Sequence, residues 1–397
     1  MNRILKITDI EEAKHELKKI NVSSQGIEVM APKALSTAIK LTAVQLGAAN
    51  ILKQEMLSIG GDAAVARGIV NGKQDISDVI LLGNLDKMKK LTKKLDNQAI
   101  FGLPEIKNDI LNLIEQKTTK SISCRGELLE FKTIKIMGIL NVTPDSFSDG
   151  NKYLAKDKAV ARGLEMIKEG ADIIDVGGES TRPGSKKVST DMELERVIPV
   201  IRELHERLKV PISIDTTKAE VALEAIKAGA AIINDISALR FDENMIDVLK
   251  QNADIPVILM HMQGQPDNMQ NKPYYEDVTE EILLFFEDRI NFCLRNGIEQ
   301  ERIILDPGIG FGKRLQDNLM IIKKIAEFKC LDQPLLLGAS RKSFLGKISN
   351  SQVSERLPGD LATAAVAFEN DIEIVRVHDV KEHKRFLKVR QAIRNVR

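Results

Sequence analysis

The fold is clearest in PISIDTTKAEVALEAIKAGAAIINDIS, residues 211–237. It begins with a short β-branched segment that ends in Asp215, and it closes with a second such segment that contains Asn234 and Asp235. Between them, apolar residues recur three and four positions apart, as on one face of a helix. Gly229 follows that segment, at the position where a left-handed residue often ends a helix. Both strands are almost continuously apolar, which is typical of parallel strands covered on both faces.

The same strand–helix unit recurs from Ile134 onward, and Gly170 and Gly297 follow two more of the predicted helices. The predicted strands are IKIMGILNV (134–142), ADIIDVGG (171–178), PISIDTT (211–217), AIINDIS (231–237), PVILMHM (256–262), RIILDPG (302–308), PLLLGAS (334–340) and IVRVHD (374–379). Residues 131–397 also have about the length of a typical (β/α)8 TIM barrel, roughly 250 residues. An open doubly wound sheet has the same rhythm. The closed barrel is favoured because no GxGxxG follows the first strand and polar residues end every strand.

The first 125 residues have a different pattern. The alanine-rich stretch 33–57 predicts one long helix, 77–83 a strand, 85–96 a lysine-rich helix, and a further helix precedes Cys124. We therefore expect a small accessory α/β domain over residues 1–125 in front of a barrel domain over 131–397. The accessory domain contains no phosphate-binding glycine loop, carboxylate pair or metal-ligand spacing, so a structural or assembly role is expected for it.

Composition limits the possible partners. Lys and Arg total 58 against 57 Asp and Glu in 397 residues, which argues against binding to nucleic acid or to a membrane surface. No apolar run reaches the roughly 18 residues that span a bilayer. The odd number of cysteines, without CxxC spacing, predicts neither a disulfide framework nor a zinc site and fits a cytoplasmic protein. A small-molecule partner is the remaining expectation.

Polar side chains end the predicted strands, and in a TIM barrel the carboxyl ends of the strands carry the active site. In chain order they are Asn141, Asp175, Asp215, Asn234, Asp235, His261, Asp306, the run Ser340–Ser343, Arg376 and His378. A single Asp or Asn here usually caps the next helix. His261, flanked by methionines, is expected to pack at a strand end. So many polar groups at one mouth favour a binding site.

The strand-end residues divide into two chemical sets. Asp215, Asn234 and Asp306 follow apolar strands, and a flat heterocycle with adjacent N–H donors, of the 2-amino-4-oxopyrimidine type, would satisfy them. The second set suits a diphosphate with a hard divalent ion, and consists of Arg182, Lys342, Arg376 and His378 with Asn141 as an oxygen ligand. Two flexible-looking loops, 141–153 with Phe147 and 177–187 with Arg182, are predicted to cover this site.

From about residue 131 to its end, the chain resembles the dihydropteroate synthase family. The resemblance is carried by ILNVTPDSFSDG, DVGGESTRPG, SIDTT, INDIS, LMHMQG, LDPGIGFGK, GASRKS and RVHDV, in the family's order and spacing. It implies a TIM barrel that joins (7,8-dihydropterin-6-yl)methyl diphosphate to 4-aminobenzoate, giving 7,8-dihydropteroate and diphosphate. It also implies Mg²⁺ as cofactor, a homodimer, and inhibition by sulfonamides.

The resemblance further implies roles for individual residues. The pterin would be bound by Asp215, Asn234, Asp306 and Lys342. Catalysis and anion binding would involve Arg376, His378, Lys342, Arg182 and Thr181. The wall around 4-aminobenzoate would comprise Phe147, Pro183, Phe311 and Ser343, and the metal ligand would be Asn141. Asp149 and Asp175 match further polar positions of the family.

Two other functions compete with this interpretation. A pterin-dependent methyltransferase acting on a corrinoid protein would share the Asp–Asn–Asp pocket but would not need the SRKS run, the RVH pair or the STRPG loop. A non-catalytic pterin or nucleotide sensor would be expected to lack an anion-site residue, and none is missing. The first 130 residues could also be a second folate enzyme, although they contain no blocks typical of one.

Overall fold

A computed structural model describes residues 5, 7, 9–70, 72–115, 121–142, 152–179, 188–266 and 268–396. The chain divides into two compact units, one up to Lys117 and one from Thr118 to Val396. The short hairpin over residues 121–130 therefore belongs to the second unit.

The first unit is a three-stranded antiparallel sheet with helices, in the order β1–β3–β2. Its strands are β1 (Ser36–Gln45), β2 (Asp62–Val65) and β3 (Ile76–Asn84). Its helices are α1 (Ile10–Lys19), α2 (Ser24–Met30), α3 (Leu46–Ser58), α4 (Arg67–Val70), α5 (Leu85–Leu95) and α6 (Leu103–Glu115), with a 3-10 turn at Ala31–Lys33. Buried residues of β1, β3, α3, α5 and α6 form its core. The predicted small α/β domain is thus present.

The single helix predicted over residues 33–57 is wrong in its first half, which forms β1. Ile39, Leu41 and Val44 are buried while their neighbours are exposed, and a bulge between Leu41 and Val44 keeps them on one face. Such near-alternation is the pattern of a half-buried strand. The prediction gave weight to alanine content, whereas pairing with β3 decided the structure. The alanine-rich second half is helical, as α3.

The second unit contains ten strands and nine helices among the described residues. Its strands are β4 (Ser121–Cys124), β5 (Glu127–Glu130), β6 (Lys135–Asn141), β7 (Ile173–Gly177), β8 (Ile212–Asp215), β9 (Ile232–Asp235), β10 (Val257–Met260), β11 (Ile303–Asp306), β12 (Leu336–Leu337) and β13 (Ile374–Val377). Its helices are α7 (Lys152–Glu169), α8 (Thr190–Arg207), α9 (Ala219–Ala228), α10 (Met245–Gln251), α11 (Val278–Arg295), α12 (Leu315–Lys323), α13 (Ser343–Ser349), α14 (Leu357–Glu369) and α15 (Val380–Asn395). Turns of 3-10 helix lie at Gln300–Arg302, Ile325–Leu331 and Val353–Glu355.

The eight strands from β6 to β13 form one parallel sheet that closes on itself. The paired order is β11–β10–β9–β8–β7–β6–β13–β12. A parallel bridge between Leu305 and Leu335 joins the two ends. The predicted (β/α)8 TIM barrel is confirmed, and the open sheet is excluded. Gly170, Gly229 and Gly297 have φ values of 108°, 118° and 79°, as predicted for left-handed residues after helices.

Alternation along the strands places the site residues inside the barrel. Ile173, Ile232, Ile304 and Ile374 are fully buried and cluster with side chains of the β4–β5 hairpin, so they mark the closed amino end of the barrel. Because side chains two positions apart lie on the same face of a strand, the residues two positions further along each strand also face the interior. These residues are Asp175, Asn234, Asp306 and Arg376.

No described helix is both long and apolar enough to cross a membrane.

Candidate active site

Arg376 is the centre of an ion-paired network at the carboxyl end of the barrel. Its Nε donates to Asp175 Oδ2 and its Nη2 donates to Asp215 Oδ2, both at 2.6 Å. Asn234 Nδ2 donates to the same Asp175 oxygen at 3.1 Å. Asp175, which is fully buried, thus fixes the positions of both Arg376 and Asn234.

The network places opposite charges in a buried environment. The pKa of Asp215 is raised to about 7, mainly by burial, which Arg376 opposes and nearby Asp175 reinforces. Burial alone would lower the pKa of Arg376, but Asp175 and Asp215 outweigh burial and raise it. Arg376 therefore stays a cation, and Asp215 can exchange its proton near neutral pH.

Lys342 lies beside this network. Its Nζ is 3.9 Å from the centroid of the Phe311 ring, a cation–π contact. Burial, the largest cause, and the charge of Arg376 lower the pKa of Lys342 to about 8, against the opposing effect of Asp306 and Asp215. Phe311 belongs to an apolar cluster at the same end of the barrel. A cationic ammonium group and an aromatic ring therefore lie together at this end of the barrel.

Asp306 is buried at the end of β11, where Gly308 N donates to its Oδ1 at 2.7 Å. Burial raises its pKa, and this amide opposes the rise. Gly308 has a φ of 69°, and a Cβ there would be 2.0 Å from the His261 carbonyl oxygen. Only glycine fits this turn, and the hydrogen bond from Gly308 N fixes the carboxylate of Asp306 at the mouth of the barrel.

Asn141 ends β6 on the side of the mouth that carries Asp215. A Cβ at Gly177 would lie 3.9 Å from Asn141 Oδ1 and 3.8 Å from Asp215 Oδ2. An amide oxygen at a barrel mouth suits Mg²⁺, which commonly takes one or two protein oxygens and completes its shell with water and substrate phosphate. The described residues contain no group of three or more His, Cys, Asp or Glu arranged for a metal. Asn141 Oδ1 is an oxygen of the kind that such an ion takes.

His378 follows β13 and is held by the loop after β12. Ser340 Oγ is 3.1 Å from His378 Nδ1, and His378 N donates to the same oxygen at 3.2 Å. Ser340 Oγ also donates to Asp360 Oδ2 at 3.0 Å. Arg341, in the same loop, donates from its side chain to Asp379.

The remaining predicted residues have varied positions. Asp235 accepts hydrogen bonds from Ser237 and Leu239, so it stabilises the loop that follows β9. His261 is buried and makes an edge contact with Phe285 at 4.8 Å, as expected for strand-end packing. Ser343 begins α13 and is exposed.

Five predicted residues lie outside the described residues. They are Phe147 and Asp149 in the first loop and Thr181, Arg182 and Pro183 in the second.

Sequence reasoning missed Lys313, which is buried at the end of the run LDPGIGFGK. Its Nζ lies 2.9 Å from His261 Nδ1 and donates to the carbonyl oxygens of His261 and Phe311. Burial lowers its pKa to about 7. The signal available was a lysine among glycines and apolar residues, but only the fold shows that it joins the loops after β10 and β11. The roles of Asp175 and Asp360 were likewise not evident from the sequence.

The arrangement can bind a flat ring and an anion together. Asp215 Oδ1, Asn234 Oδ1 and Asp306 Oδ2 accept no hydrogen bond from any described residue, so they can accept N–H donors of a ligand. Arg376, Lys342 and His378 lie at the same mouth and can bind an anion. Among the site residues described above, the hydroxyl beside a histidine is that of Ser340, which is buried and bonded to Asp360; this favours stabilisation of charge over covalent catalysis.

Comparison with known proteins agrees with this geometry. Residues 137–378 match the sequence profile described as "Pterin binding enzyme". Dihydropteroate synthase of Escherichia coli (strain K12) is 47% identical over 268 residues, which cover 68% of this chain and 94% of that protein. A Halobacterium salinarum protein, named as a probable bifunctional folylpolyglutamate synthase/dihydropteroate synthase, is 37% identical over 98% of this chain and 46% of its own length.

Solved structures give the same result. The dihydropteroate synthase of Yersinia pestis, in a sulfonamide complex, has a TM-score of 0.66 and 43% identity, covering 70% of this chain and 100% of that one. The Xanthomonas albilineans enzyme with 4-aminobenzoic acid has a TM-score of 0.66 and 40% identity over the same shares.

The TIM barrel, the polar residues at its carboxyl end and the profile match over residues 137–378 together define the class. The chain belongs to the pterin-binding enzymes. Its relatives also identify the family within that class. The chain belongs to the dihydropteroate synthase family, whose members are transferases of folate biosynthesis.

Proposed function

We propose that the barrel condenses (7,8-dihydropterin-6-yl)methyl diphosphate with 4-aminobenzoate, giving 7,8-dihydropteroate and diphosphate. The observation that carries this proposal is the convergence of Asp215, Asn234 and Asp306 with Arg376 and Lys342 at one end of the barrel. One part of that mouth supplies hydrogen-bond acceptors and the other supplies cations. The substrate has the complementary parts, a pterin with N–H donors and a diphosphate.

The pterin is bound through the open acceptors. Because Asn234 Nδ2 is committed to Asp175, its Oδ1 is oriented as an acceptor for a ligand N–H. Asp215 and Asp306 supply carboxylate oxygens, and hydrogen bonds to charged groups contribute more than neutral ones, about 1.5–3 kcal/mol each. Lys342 lies over Phe311, where it adds positive charge beside the ring.

The anion groups act on the leaving diphosphate. Breaking the C–O bond leaves negative charge on the diphosphate, and preorganised cations stabilise that charge without reorganisation. Arg376 is held by Asp175 and Asp215, so its guanidinium is fixed before substrate binds. Asn141 would hold Mg²⁺ with oxygens of the diphosphate, and the metal would supply Lewis acidity to the departing group.

The nucleophile needs little activation. The amine of 4-aminobenzoate is uncharged near neutral pH, and the electron-rich pterin can stabilise a methylene cation, so substitution proceeds by a dissociative path. Phe311 and Ser343 form part of the 4-aminobenzoate wall. Phe147 and Pro183 are proposed to complete it. Sulfonamides would compete for this wall, as compounds that resemble 4-aminobenzoate.

The direct test is a Mg²⁺-dependent assay for diphosphate release. Release is expected only when both the pterin diphosphate and 4-aminobenzoate are present, and chelation of the metal should abolish it. A sulfonamide should inhibit competitively against 4-aminobenzoate. Diphosphate release without 4-aminobenzoate, or no release with both substrates, would contradict the proposal.

The pH dependence of kcat/KM for the pterin substrate is expected to be bell-shaped. Asp215, with a pKa of about 7, must be ionised to accept pterin N–H groups, so activity should fall as the pH drops below that value. Lys342, with a pKa of about 8, must be protonated to attract the anion, so activity should fall above it. Steady-state kinetics between about pH 6 and about pH 9 would measure both limbs, which report the free enzyme.

Variants assign the two limbs. Asp215→Asn should remove the acid limb and Lys342→Gln the alkaline limb, each at reduced activity. A profile that stays flat in the wild type, or limbs that persist in these variants, would show that other groups control the pH dependence.

Deletion of residues 1–117 is expected to leave turnover within about threefold of the full chain, a difference well below 1.4 kcal/mol. The reason is that 70% of this chain covers the whole of the Yersinia pestis enzyme. The first unit is proposed to serve structure or assembly. Steady-state kinetics of the truncated barrel would check this, and a folded but inactive barrel would make the first unit part of the active site.

Two further properties remain proposals. Free thiols at Cys124, Cys293 and Cys330 support a reducing compartment such as the cytoplasm. A homodimer is proposed from the family resemblance, and light scattering of the purified chain would test it.

A further inference from the structure

We infer that Arg341 is a positioning residue, whose left-handed backbone conformation directs the side chain of Lys342 to the ring of Phe311. Neighbouring side chains hold Arg341 in this conformation, and it acts on the substrate only through Lys342. The inference rests on the proposed function for the role of Lys342 in binding the pterin substrate.

The turn after β12 contains a residue in an unusual conformation. Lys342 N donates to the Ala339 carbonyl oxygen at 3.3 Å, so residues 339–342 form a tight turn. Arg341 occupies the third position of that turn and has a φ of 57°. A positive φ at the third position of a β-turn favours glycine, because a residue with a Cβ is strained there. The chain therefore has arginine where glycine would be unstrained.

Three groups hold Arg341 in this conformation. Its backbone N donates to both carboxylate oxygens of buried Asp360, at 2.9 and 3.2 Å. Arg356 Nη1 donates to the Arg341 carbonyl oxygen at 2.8 Å. The Arg341 guanidinium donates from Nε and Nη2 to the carboxylate of Asp379, at 3.1 and 2.6 Å. Such strain persists only where surrounding contacts over-determine the backbone, and these contacts fix the N–H, the carbonyl and the side chain separately.

Arg356 also contacts the helix that follows Lys342. A Cβ at Gly346 of α13 would lie 2.5 Å from Arg356 Nη2 and 2.8 Å from its Nε, so the guanidinium occupies the space that this glycine leaves. Because α13 begins at Ser343, the same arginine supports the chain on both sides of Lys342.

The conformation of Arg341 determines where Lys342 lies. The side chain of Lys342 passes Gly310, where a Cβ would be 3.3 Å from its Cδ. Its Nζ is 3.9 Å from the centroid of the Phe311 ring. A change of φ at Arg341 would rotate the chain at Lys342 and carry the ammonium group away from this contact. Strain at one residue is thus coupled to the position of the next.

The decisive comparison is between Arg341→Ala and Arg341→Gly, which differ by a single methyl group. Both lose the pair with Asp379, but only glycine adopts a positive φ without strain. Arg341→Ala should raise KM for the pterin substrate by up to about tenfold, with a smaller change in kcat, because the penalty for a left-handed residue is of that size. Arg341→Gly should stay within about threefold of the wild type. Steady-state kinetics of the full-length chain would measure the difference.

A second measurement needs no substrate. Burial lowers the pKa of Lys342 to about 8, and an ammonium that leaves this position would approach the ordinary value of about 10.4. Acetylation by trace acetic anhydride over a series of pH values, read by peptide mass spectrometry, reports the pKa of this lysine. The half-point should stay at about 8 in the wild type and in Arg341→Gly, and should move upward in Arg341→Ala.

Arg356→Met tests the contacts that hold the turn. It removes the donor to the Arg341 carbonyl oxygen and should raise KM for the pterin substrate. In the Arg341→Gly background the same substitution should have a much smaller effect, because glycine needs no support in this conformation. A simple loss of packing would give equal effects in both backgrounds, as expected for independent sites.

Asn350 supplies a matched control at the other end of α13, where it is exposed and has a φ of 48°. Asn350→Ala and Asn350→Gly repeat the comparison at a left-handed residue away from Lys342. Asn350→Gly should be the more stable of the two in denaturant unfolding. KM for the pterin substrate and the labelling of Lys342 should match the wild type in both.

Two results would overturn the inference. One is equal KM and equal labelling of Lys342 in Arg341→Ala and Arg341→Gly, which would show that strain at this residue does not reach Lys342. The other is an Arg341→Gly protein less stable than Arg341→Ala. If Arg341→Ala does not fold, the effects of Arg356→Met in the two backgrounds decide the question. Because the labelling requires neither substrate nor turnover, its failure is distinguishable from failure of the diphosphate-release assay.

Discussion

Replacing Arg376 by alanine is expected to lower kcat by about 10²- to 10³-fold, the cost of removing a preorganised group that stabilises transition-state charge. KM for the pterin substrate should rise much less, because Asp215, Asn234 and Asp306 remain to bind the ring. Steady-state kinetics with varied pterin diphosphate would measure both constants.

The same substitution should destabilise the barrel. It leaves Asp175 and Asp215 buried beside each other without their shared cation, and breaking such a pair costs on the order of 3–5 kcal/mol. Without Arg376, which opposes the effect of burial, the pKa of Asp215 would rise above its value of about 7. A carboxyl group with a raised pKa loses stability as the pH rises up to that pKa, so the extra destabilisation from Asp215 should grow as the pH rises above about 7.

A matched variant separates the two effects. Asp175→Asn with Arg376→Met removes one buried charge of each sign, and should recover much of the unfolding free energy without recovering kcat. Equal kcat losses for Arg376→Ala and for Arg390→Ala, an ion-paired arginine on the outer helix α15, would contradict the assigned role.

Asp215→Asn is expected to raise KM for the pterin substrate by roughly 10- to 100-fold, with a smaller effect on kcat. The carboxylate accepts from a ligand N–H, and a hydrogen bond to a charged group contributes about 1.5–3 kcal/mol. The variant should fold well, because Arg376 keeps its pairing with fully buried Asp175. Titration with a pterin that lacks the diphosphate would isolate the ring from the anion.

The control for this experiment is Asp247→Asn, which removes an exposed carboxylate on α10. Its KM should match the wild type. If Asp215→Asn lowered kcat strongly and left KM unchanged, Asp215 would act in the chemical step and not in pterin binding.

Strand-end position is enough to predict that Asp175, Asn234, Asp306 and Arg376 share the barrel mouth. Asp175 follows Ile173 by two positions, and Arg376 follows Ile374 by two. Because strand side chains alternate, and parallel strands share one carboxyl edge, these pairs define a closed apolar end and a polar mouth. The sequence could not show that Asp175 contacts both Arg376 and Asn234, since those contacts span 201 and 59 positions of the chain.

Local pattern failed where pairing decided the structure. The alanine content of residues 33–57 predicts a helix, yet residues 36–45 pair with β3 from Ser36 to Gln45. Propensity is a weak prior that tertiary contacts override. Similarly, the position of Lys313 after a glycine loop does not predict a role, but the fold surrounds it with three acceptors from His261 and Phe311.

The sequence is sufficient to predict the barrel, its eight strands and the chemical types at its mouth, because periodicity and strand-end position are local properties of a chain. The tertiary structure decided which of those groups are paired, buried or left open to a ligand. Hydrogen bonding and desolvation depend on neighbours that are distant in sequence, as the Ser340–Asp360–His378 arrangement illustrates. The protonation states of Asp215 and Lys342 therefore follow from the folded environment and not from residue type.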